Sequence, residues 1–302
     1  MKKEEKKQDL KETRGTLLIL LTAIISGISV VINKFFVAAV DPLILAAVRA
    51  LFIGIIFLFI SLYFSKSEKK FNKVSWKYLV SIGIIGGGIA FWLFFSGLKL
   101  TTSGRAAFIH KTLPIYATLL AIIFLKEKIT KKQLIAMVVM LAGLVLIELT
   151  NISSEMKIGD LLILSATVLW AIETTLSKKA MLEKESNWVV TFSRMFFGAL
   201  VLFAIIFLLG KTSLLLTLNS QQLLYIFISG VFLFFYVLTF YWGLKYINLS
   251  KASTILLLAP VISLGLGFIW LNEQIFVLQI IGSLLILIGT YFVARTKSEK
   301  KK

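Results

Sequence analysis

Six charged or titratable side chains fall inside long apolar stretches of the sequence. Such groups are costly within a bilayer, and they tend to face an internal cavity or a charged partner. A cation in that setting can bind an anionic ligand, and a carboxylate or a histidine can carry a proton. These candidates for a binding or proton-transfer site are Lys34, Arg49, His110, Lys111, Glu173 and Arg194.

Lys111 and His110 are adjacent in the fourth apolar segment, about seven residues from its end and therefore about 10 Å deep. The matching residues of the internal repeat described below are Leu256 and Leu257, so the polarity is specific to the first half. Lys111 is predicted to bind an anionic group or a coupling ion, the alternative being a lysine that snorkels to the interface. His110, the single histidine, is predicted to contact substrate or carry a proton, the alternative being a packed, hydrogen-bonded residue.

Glu173, Arg194 and Arg49 are further deep charges. Glu173 is predicted to be a proton carrier if burial favours its protonated form more than Arg194 opposes it. Arg194 lies at a similar predicted depth on the next helix, which allows an ion pair of either structural or functional role. Arg49 lies near the predicted depth of Lys111, and two cations at one level favour a bound carboxylate or phosphate. Because Arg194 matches it in the repeat, Arg49 is alternatively a packing residue.

Aromatic residues and prolines occur at mid-helix positions. Trp92, Trp170 and Tyr241 are predicted to line a pocket for an apolar or cationic group, although such residues of membrane helices are more often packing residues or interfacial anchors. Pro114 and Pro260 break backbone hydrogen bonds and are predicted to kink their helices, either as hinges or as simple curvature.

Two glutamates stand at the ends of the proline-containing helices. Glu127 and Glu273 are each predicted to cap the N-terminus of the helix that follows, where negative charge is favoured. Three consecutive glycines at 86–88 are predicted to allow close helix approach or flexing.

The composition predicts that these residues are carried by membrane helices, in an all-α fold. The chain of 302 residues is 58% hydrophobic and only 16% charged. A transmembrane helix needs roughly 20 mostly apolar residues, and such windows recur along almost the whole chain. Charge clusters and turn residues divide them into ten predicted helices, at 15–36, 42–65, 77–98, 103–125, 132–149, 159–180, 187–209, 220–245, 250–271 and 275–294.

The distribution of basic residues predicts the orientation. The formal net charge is +18, but the basic residues lie in short loops and tails, so no nucleic-acid partner is expected. Loops rich and poor in Lys and Arg alternate, which by the positive-inside rule places both termini in the cytoplasm of a multi-pass cell-membrane protein. The rich segments are the N-terminal tail, 66–77, 126–132, 177–184 and 295–302.

An internal repeat relates the two halves of the chain. A shift of 146 positions aligns GLK at 97–99 with GLK at 243–245, and KEKITKKQ at 126–133 with NEQIFVLQ at 272–279. A shift of 144 aligns Lys34 with Lys178, and one of 145 aligns Arg49 with Arg194. Each half has five predicted helices, so the second half is predicted to enter the membrane from the other side. That inversion explains why the second copy of KEKITKKQ has lost its lysines.

The sequence resembles the drug/metabolite transporter superfamily, in particular proteins with two EamA domains. The resemblance rests on the duplicated unit and on two copies of a motif with a proline and a later Leu-x-Glu, PIYATLLAIIFLKE at 114–127 and PVISLGLGFIWLNE at 260–273. A tryptophan–lysine pair in the first helix of each half is also typical of the family. It is present as Trp170 with Lys178, whereas the first half has Ser26 with Lys34.

The predicted domain organisation follows from the repeat and the resemblance. A cytoplasmic tail at 1–14 precedes a first EamA repeat at 15–150, and a second repeat at 158–295 precedes a cytoplasmic tail at 296–302. The resemblance, which covers about residues 15–295, is specific for fold and superfamily and weak for substrate.

The expected function is secondary transport of a small polar metabolite, an amino acid or an organic anion, by alternating access. The resemblance implies export, and proton coupling is expected. Alternatives are a uniporter or exchanger, a multidrug exporter for cationic or neutral compounds, and, in a different class, a channel or membrane receptor. No enzymatic activity, cofactor or metal is expected, since the chain has one histidine and no cysteine. The expected partners are the substrate, lipids and protons, with a homodimer left open.

Overall fold

The computed structural model describes residues 2–68, 75–101, 103–149 and 158–297, and within these ranges it contains helices and no strand. The loop predicted at 66–77, the junction predicted at 150–158 and both predicted tails lie partly outside the described residues. The helices are α1 (Lys2–Ala39), α2 (Pro42–Glu68), α3 (Trp76–Ile82, Gly83–Ile89 and Ala90–Leu98), α4 (Ser103–His110 and Leu113–Phe124), α5 (Lys131–Glu148), α6 (Ile158–Leu182), α7 (Asn187–Leu208), α8 (Ser220–Tyr246), α9 (Leu249–Ile255, Leu256–Leu258 and Ala259–Leu271) and α10 (Val277–Arg295), with one further turn at Ser213–Leu216.

Nine helices of the described chain are long and apolar enough to cross a membrane. The tenth predicted span is present as the helix α5 but is not among the nine. Its 18 residues include Lys131, Lys132 and Glu148, three charges that lower its suitability for the hydrocarbon core. Side chains such as Leu134, Ile135 and Val138 on its exposed face are nevertheless apolar.

Three helices depart from regular α geometry where the sequence breaks the hydrogen-bond ladder. The segment Gly83–Ile89 of α3 is a π-helix that contains the three consecutive glycines. The α-helical ladder of α4 is interrupted between His110 and Leu113, just before Pro114, and α9 has a 3₁₀ turn at Leu256–Leu258, just before Pro260. Each proline lies at the start of a new helical segment, where its missing N–H costs least.

The two halves of the chain interlock, because the main helix pairs each contain one helix from either half. In the described chain α1 packs on α8, α2 on α7, α3 on α6 and α7, and α5 on α10. Glycines allow several of these approaches: a Cβ on Gly143 would meet the carbonyl oxygen of Gly282 at 2.5 Å, and Gly87 and Gly198 are in backbone contact. The prediction that the glycines at 86–88 permit close packing is confirmed.

One ion pair connects each half of the chain to the first helix of the other half. Arg105 Nε lies 2.8 Å from Asp160 of α6, and Lys251 Nζ lies 3.1 Å from Glu12 of α1. We call the end of the bundle with Glu12 the terminal face and the end with Asp160 the opposite face. Since Arg105 and Lys251 match in the repeat, equivalent contacts lie at the two faces.

Asp41 forms a polar connection at the opposite face, between α1 and α2. Its Oδ2 accepts a hydrogen bond of 2.6 Å from Lys211, and its Oδ1 accepts one of 2.9 Å from the amide of Leu43. Burial raises the pKa of Asp41, but these two hydrogen bonds and the positive charges of Lys211 and Lys99 together lower it by more, so the pKa lies below its ordinary value of 3.8. The carboxylate therefore stays charged in mildly acidic solution, and the loop that holds Lys211 stays attached to α1.

Candidate functional site

A cavity of about 590 Å³ lies between the two halves of the bundle. Residues from all ten helices line it. Lys34 and Glu273 line it at the opposite face, where their side chains are 64% and 45% exposed, so the cavity reaches the surface there. At its other end it is lined by Leu249, which is fully buried.

Five candidate residues with basic side chains line this cavity: Lys34 at its mouth and, deeper, Arg49, His110, Lys111 and Arg194. The four deeper residues come from α2, from the interruption in α4 and from α7. The break in α4 places Lys111 between two helical segments, with its amide bonded to the carbonyls of Ala107 and Phe108. Arg194 is paired with Glu173, so the positive charge that favours an anionic ligand deep in the cavity comes from Arg49 and Lys111.

Arg49 is held in place by a chain of polar side chains. Its Nη1 donates a 2.8 Å hydrogen bond to Ser229 Oγ, which in turn donates to Asn33 Oδ1 at 2.6 Å. The amide of Asn33 donates to the carbonyl and the hydroxyl of Ser29, both at 2.8 Å. Arg49 is only 9% exposed, and its Nε has no hydrogen-bond partner in the described chain.

An aromatic wall lies beside the basic residues. The ring of Phe91 lies 5.2 Å from that of Trp170, and Phe94 lies 5.4 Å from Trp170. His110 packs against the same indole, with ring centroids 4.7 Å apart, and its buried Nδ1 has no partner among the described residues. Trp170 Nε1 donates to the carbonyl of Gly86 at 2.9 Å, so the π-helix in α3 fixes the orientation of the indole.

Glu173 lies behind this wall and does not line the cavity. It is fully buried, and its Oε1 accepts hydrogen bonds from Tyr241 at 2.6 Å and from Ser177 at 2.7 Å. Arg194 Nε lies 3.5 Å from Glu173 Oε2, and Arg194 Nη1 donates to the hydroxyl of Tyr241 at 3.2 Å. The predicted ion pair is therefore present, and Arg194 connects it to the cavity.

The predicted helix caps are wrong for both glutamates. The carboxylate of Glu127 caps α9 and not α5: it accepts from the amides of Leu249 and Ser250 and from the hydroxyl of Ser250. The cap of α5 is Thr130, whose side chain accepts from the amide of Gln133. Glu273 instead binds Lys34 at 2.9 Å across the cavity mouth.

Two further predicted pocket residues do not line the cavity. Trp92 packs in an apolar cluster with Phe94 and Leu98, and Tyr241 is fully buried against Glu173 and Arg194. Trp170, Pro114 and Pro260 do line it, as predicted for Trp170. Residues of the site that the sequence analysis did not identify are Ser29, Asn33, Phe91, Phe94, Ser229 and Tyr236, since polar and aromatic residues of these types occur throughout the chain.

Comparisons with known proteins give a family and a fold. The EamA-like transporter family matches residues 13–149 and again 157–295. The uncharacterized transporter YoaV of Bacillus subtilis is 27% identical over 286 residues, covering 94% of this chain and 97% of its own length. An uncharacterized transporter of Archaeoglobus fulgidus is 28% identical, covering 93% of this chain and 99% of its own. A crystal structure with a TM-score of 0.73 and 19% identity, covering 92% of this chain and 96% of that chain, shares the fold.

Proposed function

Because the chain belongs to the EamA-like transporter family, we propose that it is a secondary transporter of small organic anions or amino acids. The observation that carries this proposal is the cavity between the two halves, which has four basic side chains in its deep part and reaches the surface at one face. A cavity accessible from one side of a repeat-built bundle is the arrangement that alternating access requires.

The proposed architecture has ten spans in two inverted five-helix repeats, with α5 included as a span. The pairing of α5 with α10 supports this, since α10 is among the helices suited to cross a membrane. The equivalent ion pairs of Arg105 and Lys251 at opposite faces also support inversion. By the positive-inside rule, both termini then lie on the cytoplasmic side of the cell membrane, and the opposite face of the bundle lies on the outer side.

The proposed roles divide binding from coupling. Lys111 and Arg49 bind the anionic group, and Trp170 forms a wall of the pocket. His110 is the proposed proton carrier because it lines the cavity directly, and Glu173, which is buried behind the wall and accepts from Tyr241, is the alternative. Export as the direction of transport is taken from the family.

Other functions fit these observations less well. A multidrug exporter of cations would need acidic groups among the deep lining residues, where the described chain has basic ones. A channel needs a path through the bundle, whereas the cavity ends at the buried Leu249. A uniporter or exchanger has the same binding site and differs only in energy coupling.

Counterflow into proteoliposomes tests the anion-binding role of Lys111. We expect Lys111→Met to lower kcat/KM for the transported anion by roughly 10- to 100-fold, because a hydrogen bond to a charged group contributes about 1.5–3 kcal/mol. The matched control is Lys245→Met, at an exposed position near the end of α8. Equal transport by both variants would remove Lys111 from the site.

A ligand for this assay is found first by a thermal-shift screen of the purified protein over amino acids, organic acids, sugars, nucleosides and cationic drugs. A ligand present at a hundred times its dissociation constant adds about 2.7 kcal/mol to stability. A proton gradient imposed on the same vesicles then tests coupling. Accumulation that does not respond to the gradient would favour the uniporter or exchanger.

A further inference from the structure

We propose that the cavity selects carboxylates that carry an apolar, preferably aromatic, body and no ammonium group. This inference rests on the proposed transport function and narrows its substrate from amino acids and organic anions to organic anions. It depends on three features of the cavity: the Nε–H of Arg49 that has no hydrogen-bond partner in the described chain, the aromatic wall, and the position of the acidic residues.

Arg49 is suited to bind a carboxylate because its guanidinium is buried, oriented and incompletely bonded. Ser229 and Asn33 fix one end of the guanidinium, while Nε remains without a partner in the described chain. A planar guanidinium presents parallel N–H groups that match a carboxylate in a two-point contact. An unpaired buried donor is costly, so a ligand that satisfies it binds with a substantial advantage.

The aromatic wall begins next to this guanidinium. The guanidinium carbon of Arg49 lies 6.0 Å from the ring centre of Phe91, and Phe91 contacts Trp170, which contacts His110. A ligand whose carboxylate contacts Arg49 therefore places its body against these rings. A flat apolar body buries the most surface there, and ring pairs gain further from stacked or edge-on contact.

The acidic residues that line the cavity lie at helix ends on the opposite face, and neither forms an ion pair with Arg49 in the described chain. In the described part of the chain the lining carboxylates are Glu148, the last residue of α5, and Glu273, which is paired with Lys34. Glu173 lies behind the wall and is bonded to Tyr241 and Ser177. An ammonium group next to a bound carboxylate would be desolvated among basic side chains, which is unfavourable.

Four probes with matched skeletons test this selectivity. Three of the molecules share a phenylethyl group: 3-phenylpropionate carries a carboxylate, phenylalanine a carboxylate and an ammonium, and phenethylamine an ammonium. The fourth, propionate, carries the carboxylate without the ring. We expect 3-phenylpropionate to bind the purified protein at least tenfold more tightly than any of the other three. Arg49→Gln should remove this binding, whereas Arg14→Gln, at an exposed residue outside the cavity, should not.

The outcomes separate the two proposals. If phenylalanine binds as tightly as 3-phenylpropionate and both are transported, the selectivity is wrong and the transport function stands. If 3-phenylpropionate binds with the expected preference but never crosses the membrane, the selectivity stands and the transport function is wrong. Failure of 3-phenylpropionate to bind, or its unchanged binding to a folded Arg49→Gln variant, also overturns the selectivity.

A separate set of contacts leads to a second inference, on how the cavity mouth closes. At the terminal face, Lys178 donates to the carbonyls of Leu244 and Ile247 at the end of α8, and Glu127 caps the start of α9. These two residues hold the turn between α8 and α9 from both sides. At the opposite face their repeat mates, Lys34 and Glu273, bind each other and the cavity is open.

We infer that closing the mouth separates Lys34 from Glu273 and gives each the contacts that its mate now has. In the repeat, the mates of Leu244 and Ile247 are Leu98 and Thr101, so Lys34 would donate to their carbonyls at the end of α3. Glu273 would cap the first amides of α4, as Glu127 caps those of α9. Both ends of the exchange satisfy groups that a helix terminus leaves unbonded.

Charge reversal distinguishes this exchange from an ordinary surface ion pair. The variant Lys34→Glu/Glu273→Lys restores the attraction but cannot form the second contacts, because a glutamate cannot donate to carbonyls and a lysine cannot accept from amides. We expect this variant to fold, since an exposed ion pair contributes little to stability. We expect it to lose at least about 90% of counterflow, because a loss of roughly tenfold is the effect of one missing hydrogen bond to a charged group. Recovery of transport in this double variant would overturn the inference.

A control and a labelling measurement complete the test. Reversing Asp9 and Lys297, which form an exposed pair at the terminal face away from the cavity, should leave transport intact. The chain has no cysteine, so an introduced cysteine can be labelled without background. Val37→Cys lies in the cavity lining one turn from Lys34 and leaves both charges in place; substrate should slow its reaction with a thiol reagent, and should not do so when the charge-reversed pair is also present. Equal slowing in both backgrounds contradicts the exchange.

Discussion

Replacement of Arg194 by methionine is expected to destabilise the protein by about 3–5 kcal/mol, because it leaves a buried carboxylate without its cation. Glu173 is 0% exposed, and Arg194 is the basic residue whose Nε lies 3.5 Å from it. Tyr241 and Ser177 donate to Oε1 only, so Oε2 would keep no compensating charge. The measurement is the free energy of unfolding, or the apparent Tm, of purified Arg194→Met in detergent.

The double variant Glu173→Gln/Arg194→Met supplies the control for that result. Removing both charges removes the cost of an unpaired buried ion, so this variant should recover much of the lost stability. If the single and the double variants are equally unstable, the loss arises from packing around the arginine side chain and not from the charge. A single variant as stable as the wild type would mean that Glu173 is protonated at no cost in the folded protein.

Gly87→Ala is expected to destabilise the protein by about 1–3 kcal/mol through overpacking between α3 and α7. A Cβ at position 87 would overlap the carbonyl oxygen of Arg194 and would lie 2.8 Å from the Cα of Gly198. Both contacts are with backbone atoms, so no side-chain rotation relieves them, and the two helices must separate. Thermal or chemical unfolding in detergent measures the loss, and transport should fall with it because Arg194 lines the cavity.

Gly265→Ala is the matched control for that substitution. No atom lies within 4 Å of a Cβ added at Gly265, which is also in a helix. Alanine there should be neutral or stabilise the protein by about 0.5–1 kcal/mol, since glycine loses more conformational freedom in a helix. Similar losses from both alanine substitutions would show that the helices tolerate neither, and that the close approach at Gly87 has no special role.

The helices and the repeat were predictable from the sequence because both depend on local patterns. Apolar length predicts a membrane helix, and the charges at the ends of α5 explain why this predicted span is not among the nine helices of the described chain suited to cross a membrane. The similar depth of Glu173 and Arg194 on consecutive helices allowed an ion pair, and the structure decides that they form one.

The caps and the polar chain behind Arg49 were not predictable, because they depend on which helices pack together. Glu127 caps a helix whose first residue is 122 positions away, whereas the predicted cap was on the next helix along the chain. Ser229 and Asn33 are 196 positions apart and meet because α1 packs on α8. Tyr241 was predicted in the cavity from its depth, but rotation about the helix axis places it against Glu173 instead.

The interlocking of the two halves has a consequence for biosynthesis. Helices enter the bilayer in chain order, so α1, α2 and α5 are inserted before their partners α8, α7 and α10 have been made. Until then their glycine-lined faces, including the one at Gly143, meet lipid or one another and not their native neighbours. The main helix pairs therefore form in turn as the second half is made, and the pair of α5 with α10 forms only when the last helix leaves the ribosome. A chain interrupted after α5 lacks one partner of every one of these pairs.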